Sequence, residues 1–316
     1  MAEDPGGDVA EYVARRLLWG AFVVVLVISL VWVFISLKPQ RGGGFNIEQG
    51  AIQGKSLPTI VEMYVDFVVD YLTLNWGDST TYRKPVTDVW ATRAPITLAY
   101  LLPALLVSAV GGIGLATYGA MKPGGWIDRL VSFLAYIGVS LPTFVLAEAV
   151  LVIGLEQFGI IRVYNTDYGV LHPDNLTRLM VPAALLALSL LGVVSRYARN
   201  ESLGYLGEEF VKVARAKGAG RLRLAQHVFR NAWLALMTLL FTEFIGLIFL
   251  GTIVLEVALQ IPGIAAAVFT AFQGPDPALV LSAALVAVVV GVLGTLFQDF
   301  ARLWIDPRTD GDATTE

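Results

Sequence analysis

One polar segment between two apolar stretches carries many of the side chains that could take part in chemistry. Residues 208–231, EEFVKVARAKGAGRLRLAQHVFRN, hold eight charged side chains and one of the two histidines of the chain. Such a basic segment can contact nucleotide or nucleic-acid phosphates, anionic lipid or a protein partner. The spacing of a phosphate-binding loop, Gly-x4-Gly-Lys-Ser/Thr, occurs nowhere in the sequence. We therefore do not expect the segment to hold a nucleotide itself.

Composition excludes several other chemistries. The 316 residues are 56% hydrophobic and only 15% charged, whereas soluble domains are about 25% charged, so an integral membrane protein is indicated. The chain has no cysteine, which excludes disulfides, thiolate metal sites and cysteine nucleophiles. His172 and His227 cannot form a metal cluster by themselves, and a net charge of −4 argues against general nucleic-acid binding. We expect no catalytic residue, no metal, no cofactor bound by this chain and no nucleic acid.

Six apolar windows are long enough to cross a bilayer, which takes roughly 20 residues. They lie at about 15–37, 94–120, 130–156, 179–198, 232–257 and 278–304. The first window is too long for the core of a signal peptide, and no small-residue cleavage site follows it. Pro103, Pro142 and Pro182 are expected to kink their helices, and the run GGIGLATYG is expected to permit close helix packing. The predicted fold class is all-α, a polytopic membrane protein with six transmembrane helices.

The positions of the basic residues predict the orientation of these spans. With both termini in the cytoplasm, 14 of the 22 lysines and arginines face that side. Six of the other eight lie in the long loop 38–93, where basic residues influence orientation less. The prediction is N-in and C-in, with residues 208–231 in the cytoplasm.

Within the outer loop, residues 58–76 predict an amphipathic helix rather than a seventh span. Glu62, Asp66 and Asp70 repeat at i, i+4, i+8, and a second face is formed by Ile60, Tyr64, Phe67, Val68 and Tyr71. Such a helix lies on the membrane surface or on the protein. The loop is too long to be only a connection, so it is expected either to receive a partner or to rest on the bilayer.

The cytoplasmic segment predicts two short helices. Residues 203–217 have helical periodicity, with one apolar face formed by Leu206, Phe210, Val213 and Ala214. Gly218 is expected to end this helix with a positive φ, and a second helix restarts near Arg221. The segment could be a solvated basic loop beside anionic headgroups. Its apolar face and glycine-fixed turn favour docking of a protein partner instead.

The residues 208–233, EEFVKVARAKGAGRLRLAQHVFRNAW, resemble the EAA-type cytoplasmic loop of ABC-importer permeases, in the form found in the dipeptide/oligopeptide/nickel permease family. Further stretches resemble that family in the same order: NWGDSTTYRKPVTDVWATRAPITLAY, GVSLPTFVLA, LGTIVLEVALQIPGI and LWIDPR. The resemblance covers about residues 12–308. It departs from the family pattern at Ala235, where the family has proline, at Ala265, where it has glycine, and at Lys212, where the loop has an acidic or polar residue.

The resemblance implies a type I ABC-importer permease in the plasma membrane, without enzymatic activity of its own. Its implied partners are a second homologous permease, two ATPase subunits that bind ATP and Mg²⁺, an extracellular substrate-binding protein and membrane lipid. Substrates in the family include peptides, nickel complexes and some sugars. The implied domains are the N-terminal tail and first span 1–37, the outer loop 38–93, the permease core 94–308 and a disordered tail 309–316.

The resemblance also implies that loop 199–231 couples this chain to the ATPases. The coupling residues that it implies are Glu208, Glu209, Phe210, Lys212, Ala214, Arg215, Ala216, Lys217, Gly218, His227, Arg230 and Asn231. Phe210 is expected to be the apolar anchor, and the charged side chains are expected to set the register of docking.

Acids within the predicted spans are functional candidates because they are costly to bury. Glu148 and Glu256 are expected near the outer interface and Asp299 near the inner one. Glu243 is the deepest, so it is a candidate for the transport pathway or for a hydrogen bond to a neighbouring span.

Two other classes of function compete with the importer permease. A secondary transporter or channel without an ATPase partner would show inverted repeats and paired intramembrane charges, and no convincing repeat is found. A membrane enzyme would lack a cysteine, a histidine pair or a carboxylate dyad with which to work.

Overall fold

Helices account for nearly all of the described chain. The computed structural model describes residues 5–37, 55–157, 164–246, 251–274 and 276–305. The helices in these ranges are α1 (Pro5–Leu37), α2 (Leu57–Leu72), α3 (Val86–Val107), α4 (Gly114–Ala120), α5 (Trp126–Ser140), α6 (Thr143–Leu151), α7 (Pro173–Tyr205), α8 (Glu209–Ala216), α9 (Arg221–Gly246), α10 (Thr252–Ala258), α11 (Ile264–Gln273) and α12 (Pro277–Ile305). Two short strands, β1 (Asp78–Ser79) and β2 (Lys84–Pro85), pair antiparallel. The predicted all-α class is confirmed.

Several helices have the length and composition of membrane spans. Four such segments are Glu11–Val33, Val86–Ala120, Pro173–Tyr205 and Pro277–Phe300. A fifth results if the bent pair Trp126–Ser140 and Thr143–Gly154 is one span. These segments coincide with five of the six predicted windows. The remaining window, 232–257, falls on α9 and α10 with residues 247–250 outside the described part of the chain, so a count of six stays a prediction.

The predicted kink at Pro142 is confirmed. The axes of the two helices flanking Leu141 and Pro142 differ by 87°, because Leu141 is extended, with φ −101° and ψ 120°, as the residue before a proline prefers. After Pro103, the helix continues through a π-helical turn, Ser108–Ile113, before it becomes α4.

The described residues form two packed units, the first of which comprises residues 1–92 and 267–316. In this unit α1 packs along α12, and a Cβ atom at Gly20 would lie 2.7 Å from Val292 Cγ1. The helix α12 begins at a buried carboxylate, because Asp276 Oδ1 accepts a hydrogen bond from Leu279 N at 3.3 Å. The other oxygen, Asp276 Oδ2, accepts from Ser79 Oγ at 2.5 Å. The β1–β2 hairpin is therefore tied to the start of α12.

The helix α2 belongs to the first unit and is amphipathic as predicted. Phe67 and Tyr71 are buried, and the hydroxyls of Tyr64 and Ser29 are 2.7 Å apart, which joins α2 to α1. Burial raises the pKa of the Tyr71 hydroxyl well above its usual value, so this hydroxyl stays protonated. The face predicted from Ile60, Tyr64, Phe67, Val68 and Tyr71 is the face that packs on the protein.

The second unit comprises residues 93–266. Its helices α5 and α7 cross at two glycines, because a Cβ atom at Gly192 would lie 3.0 Å from the carbonyl carbon of Gly138. The small-residue run after α3 also permits close packing, since a Cβ atom at Gly112 would lie 3.3 Å from Val194 Cγ1. The core of this unit includes Tyr100, Leu101, Leu186, Leu190 and Leu255.

Candidate functional site

The cytoplasmic segment contains a turn that the sequence pattern missed. Residues 203–217 were predicted as one helix, but α7 ends at Tyr205 and α8 begins at Glu209. Gly204 and Gly207 explain the interruption, because glycine is a poor helix former. Glu208 is extended, with φ −71° and ψ 151°, and its carbonyl accepts from Val211 N and Lys212 N at 3.2 Å. The prediction of continuity across residues 206–208 was wrong.

The buried face of α8 differs by one residue from the predicted face. Val211 is 0% exposed, whereas Val213 is 51% exposed. Phe210, Ala214 and Leu206 are partly buried around Val211, in a cluster that also contains Ala120, Met121, Leu224, Ala225 and Val228. Because the turn at residues 206–208 re-orients the helix, Val211 takes the place in the core that the periodicity assigned to Val213. Phe210 packs near Tyr205, with ring centroids 6.2 Å apart.

The other face of α8 is charged and exposed. Its exposed side chains are Glu208, Glu209, Lys212, Arg215, Ala216 and Lys217. Arg215 lies in the last turn of α8 and Glu209 in the first, where their charges complement the helix dipole. Charged side chains therefore occupy the exposed face of a helix whose opposite face is fixed in the core.

Gly218 ends α8 as predicted. Its φ is +78°, a conformation that costs glycine little and other residues more. Two hydrogen bonds close the turn, from Gly218 N to Arg215 O at 2.9 Å and from Ala219 N to Ala214 O at 3.0 Å. This pair of bonds is a Schellman motif, which satisfies the last carbonyls of the helix.

The helix α9 begins at Arg221, as predicted, and continues the exposed basic surface. Arg221, Arg223, His227, Arg230 and Asn231 are exposed, while Leu224, Ala225 and Val228 lie in the cluster around Val211. The amide of Asn231 donates to His227 O at 2.8 Å. The Tyr205 hydroxyl donates to Asn231 O at 3.4 Å, which links the end of α7 to α9.

A second polar centre surrounds Glu256, which is 0% exposed. Its Oε1 accepts from Thr97 Oγ1 at 2.5 Å and from the Tyr100 hydroxyl at 3.0 Å. Its Oε2 accepts from Ala266 N at 2.7 Å, and Thr97 Oγ1 accepts from Ile264 N at 3.0 Å. The carboxylate is enclosed in protein and joins α3, α10 and the first turn of α11, and its place near the outer interface stays a prediction.

Comparison with known proteins identifies the family. The family model described as "binding-protein-dependent transport system inner membrane component" matches residues 108–311, which include α8, Gly218 and Glu256. The chain belongs to this family. The dipeptide transport system permease protein DppB of Bacillus subtilis (strain 168) is 24% identical, over 95% of this chain and 97% of that protein. The oligopeptide transport system permease protein AppB of the same strain is 27% identical, over 95% and 99%.

A third relative is similar to this chain over almost its whole length. The probable D,D-dipeptide transport system permease protein DdpB of Escherichia coli (strain K12) is 28% identical, over 94% of this chain and 96% of that protein. These relatives are transport permeases, and this chain is a multi-pass permease of the ABC-importer type. The suspected family is therefore confirmed.

An ion pair that the sequence reasoning missed joins α5 and α7 in this permease. Arg199 Nε donates to Asp128 Oδ1 at 2.6 Å, and a second guanidinium nitrogen of Arg199 donates to Asp128 Oδ2 at 3.0 Å. Asp128 is buried and also accepts from Gly124 N at 2.9 Å. The pair ties the start of α5 to α7. From the sequence, Arg199 was counted only among the 14 basic residues on the predicted cytoplasmic side.

The other acids within the predicted spans of the permease have different surroundings. Asp299 is 8% exposed and lies 3.1 Å from Arg16 Nε, so its charge is compensated. Glu148 is exposed on α6. Glu243 is part of α9, but its side chain lies outside the described residues, and its role in the pathway stays a prediction.

Proposed function

We propose that this chain forms half of the transmembrane pathway of an ATP-driven importer in the plasma membrane, for peptides or a similar small solute. A second homologous permease completes the pathway, and an extracellular binding protein delivers the solute. Two ATPase subunits, which hold ATP and Mg²⁺, dock from the cytoplasm on loop 199–231. Both termini lie in the cytoplasm, and the relatives named for dipeptides and oligopeptides support the choice of substrate class.

The observation that carries this proposal is the two-sided structure of α8. One face exposes Glu208, Glu209, Lys212 and Arg215 to solvent, and the other face buries Val211 completely. Charged side chains on a rigid support favour a specific protein partner, because complementary charges select the partner and fix the register of docking. A loop that only contacted lipid headgroups would not require the buried face or the Schellman turn.

The same cluster explains how movement of an ATPase would reach the spans. Val211 packs together with Ala120 and Met121 at the end of α4, and with Leu224 and Val228 on α9. Well-packed interiors transmit displacement because they have low compressibility. A shift of α8 therefore moves the ends of two helices that continue into apolar segments. The exposed Val213, rather than only the half-buried Phe210, is available as an apolar contact for the ATPase.

The outer side of the permease is where the binding protein would dock. The β1–β2 hairpin exposes Asp78, Thr81 and Arg83 and is anchored by Ser79 on Asp276. Glu62 and Asp66 on α2 are also exposed. Polar and charged groups on anchored elements suit a transient, charge-steered encounter.

Co-purification tests the proposal. The permease is expressed together with the ATPase subunits of its transport system and purified in lipid nanodiscs, and the amount of ATPase retained is measured. The double variant Lys212→Glu/Arg215→Glu is expected to lower retention at least tenfold. The matched double variant Lys55→Glu/Lys84→Glu, which makes the same charge change on the predicted outer side, is expected to retain normal amounts. Equal retention by both double variants would contradict the assignment of α8 as the docking site.

A further inference from the structure

The helix α2 has three faces, only one of which packs on the protein. Tyr64, Phe67 and Tyr71 face α1 and the interior of the first unit. The acidic face consists of Glu62, Asp66 and Asp70. The third face is an apolar stripe whose side chains are 49% to 78% exposed: Leu57, Val61, Val65, Val69 and Leu72. The stripe follows helical spacing, so it forms one continuous surface along the whole helix.

The contacts with α1 determine the position of α2 along the predicted first span. Tyr64, in the middle of α2, contacts Ser29 through hydroxyls 2.7 Å apart, and its ring lies 5.4 Å from that of Trp32. Ser29 and Trp32 lie eight and five residues before the end of α1 at Leu37, in the part of the predicted first span that is nearer the outer side. The helix α2 is therefore held beside the outer part of that span, the level at which interfacial helices bury their apolar face.

We propose that the apolar stripe of α2 lies in the boundary between the acyl chains and the headgroups of the bilayer. The helix α1, on which α2 packs, also exposes aliphatic side chains in this part of the predicted span, at Leu26, Leu30 and Val33. The 16 residues of α2 are too few to cross the bilayer, which takes roughly 20. The acidic face then points to water.

The composition of the stripe favours lipid over a protein partner. Protein interfaces are enriched in tyrosine, tryptophan and arginine, which supply most of the binding energy. The stripe contains only leucine and valine, and α2 has no lysine or arginine with which to bind anionic headgroups. Burial of aliphatic surface, beside the outer part of α1, is what holds α2 against the membrane. The surfaces that remain for the binding protein are the acidic face of α2 and the β1–β2 hairpin.

Spin labelling tests the proposal independently of transport. The chain contains no cysteine, so Val65→Cys and Asp66→Cys each carry one nitroxide label at neighbouring positions on different faces. Each labelled permease is placed in nanodiscs of phosphatidylcholine and phosphatidylglycerol. Collision rates are measured with oxygen, which concentrates in the acyl chains, and with a water-soluble nickel chelate. The label at residue 65 is expected to favour oxygen several-fold over nickel, and the label at residue 66 is expected to show the reverse.

Two results would overturn the proposal. Free access of nickel to the label at residue 65 would place the stripe in water. An immobilised label at residue 65 that neither reagent reaches would place it against another protein subunit. Val61→Cys repeats the measurement one turn earlier, and the result must agree with that at residue 65.

Discussion

The carboxylate of Glu256 fills the space that a side chain at Gly263 would need. A Cβ atom built on Gly263 would overlap both oxygens of that carboxylate. The same group accepts hydrogen bonds from Thr97, Tyr100 and Ala266 N. The glycine in the stretch LQIPGI is therefore required by a buried acid seven residues earlier in the chain, and the two residues form one structural unit at the start of α11.

Gly263→Ala is expected to destabilise the second unit by about 1–3 kcal/mol, the usual cost of overpacking a filled core. Thermal unfolding of the purified permease in detergent measures the change as a lower Tm. Gly291→Ala is the matched control, because a Cβ atom at Gly291 in α12 meets nothing within 4 Å. An equal Tm for the Gly263 variant and the wild type would contradict the overlap.

Glu256→Gln tests the hydrogen bonds that the Glu256 carboxylate accepts, rather than its packing against Gly263. Glutamine offers one acceptor oxygen, and its amide nitrogen would face a donor, so we expect a loss of roughly 1–3 kcal/mol. Because both substitutions disturb the same group, Gly263→Ala combined with Glu256→Gln is expected to cost less than the sum of the single changes. Strict additivity in a double-mutant cycle would show that the two residues act separately.

Gly218→Pro is expected to abolish coupling between the ATPase and transport while membrane insertion stays normal. Proline fixes φ near −65°, whereas Gly218 has φ +78°, and proline also removes the N–H that bonds to Arg215 O. Uptake into proteoliposomes should fall at least tenfold. Gly220→Ala, at a position where a Cβ atom meets nothing within 4 Å, should keep normal uptake. Wild-type uptake by the proline variant would rule out a mechanical role for the turn.

Aspartate substitutions at Val211 and at Val213 distinguish an effect on folding of the permease from an effect on docking of the ATPase. Val211→Asp places a charge in the cluster shared with α4 and α9, so it should lower the Tm and the yield of folded permease. Val213→Asp changes an exposed position, so the Tm should stay within a few degrees of the wild type while retention of the ATPase falls. If Val213→Asp unfolded the permease as severely as Val211→Asp, the observed orientation of α8 would be incorrect.

Local patterns predicted the features that depend on local physics. Apolar windows located five segments with the composition of spans, because burial in lipid requires a continuous run of apolar residues. Periodicity assigned the packed face of α2, including Phe67 and Tyr71, because side chains three and four residues apart share a helix face. Gly218 was recognised as a turn for the same reason, since a positive φ after a helix favours glycine.

The missed features depend on partners that are far apart in the chain. Thr97 and Glu256 are separated by 159 residues, Ser79 and Asp276 by 197, and Arg199 and Asp128 by 71. The residues that flank a serine, threonine or carboxylate in the sequence do not indicate which distant residue it will bond to. The orientation of α8 was missed because a short turn at residues 206–208 changed which valine faced the core.

The sequence alone determined which segments are helical and apolar and where the charges lie, because these follow from composition and periodicity. Its motifs, taken in order, carried the resemblance to the family. Only the tertiary structure decided that Glu256 is buried under Gly263, that Val211 rather than Val213 holds α8, and that Tyr64 sets the position of α2 along α1. Each of these depends on how the helices pack. Packing brings together residues that are far apart in the sequence, and local sequence patterns do not predict such contacts.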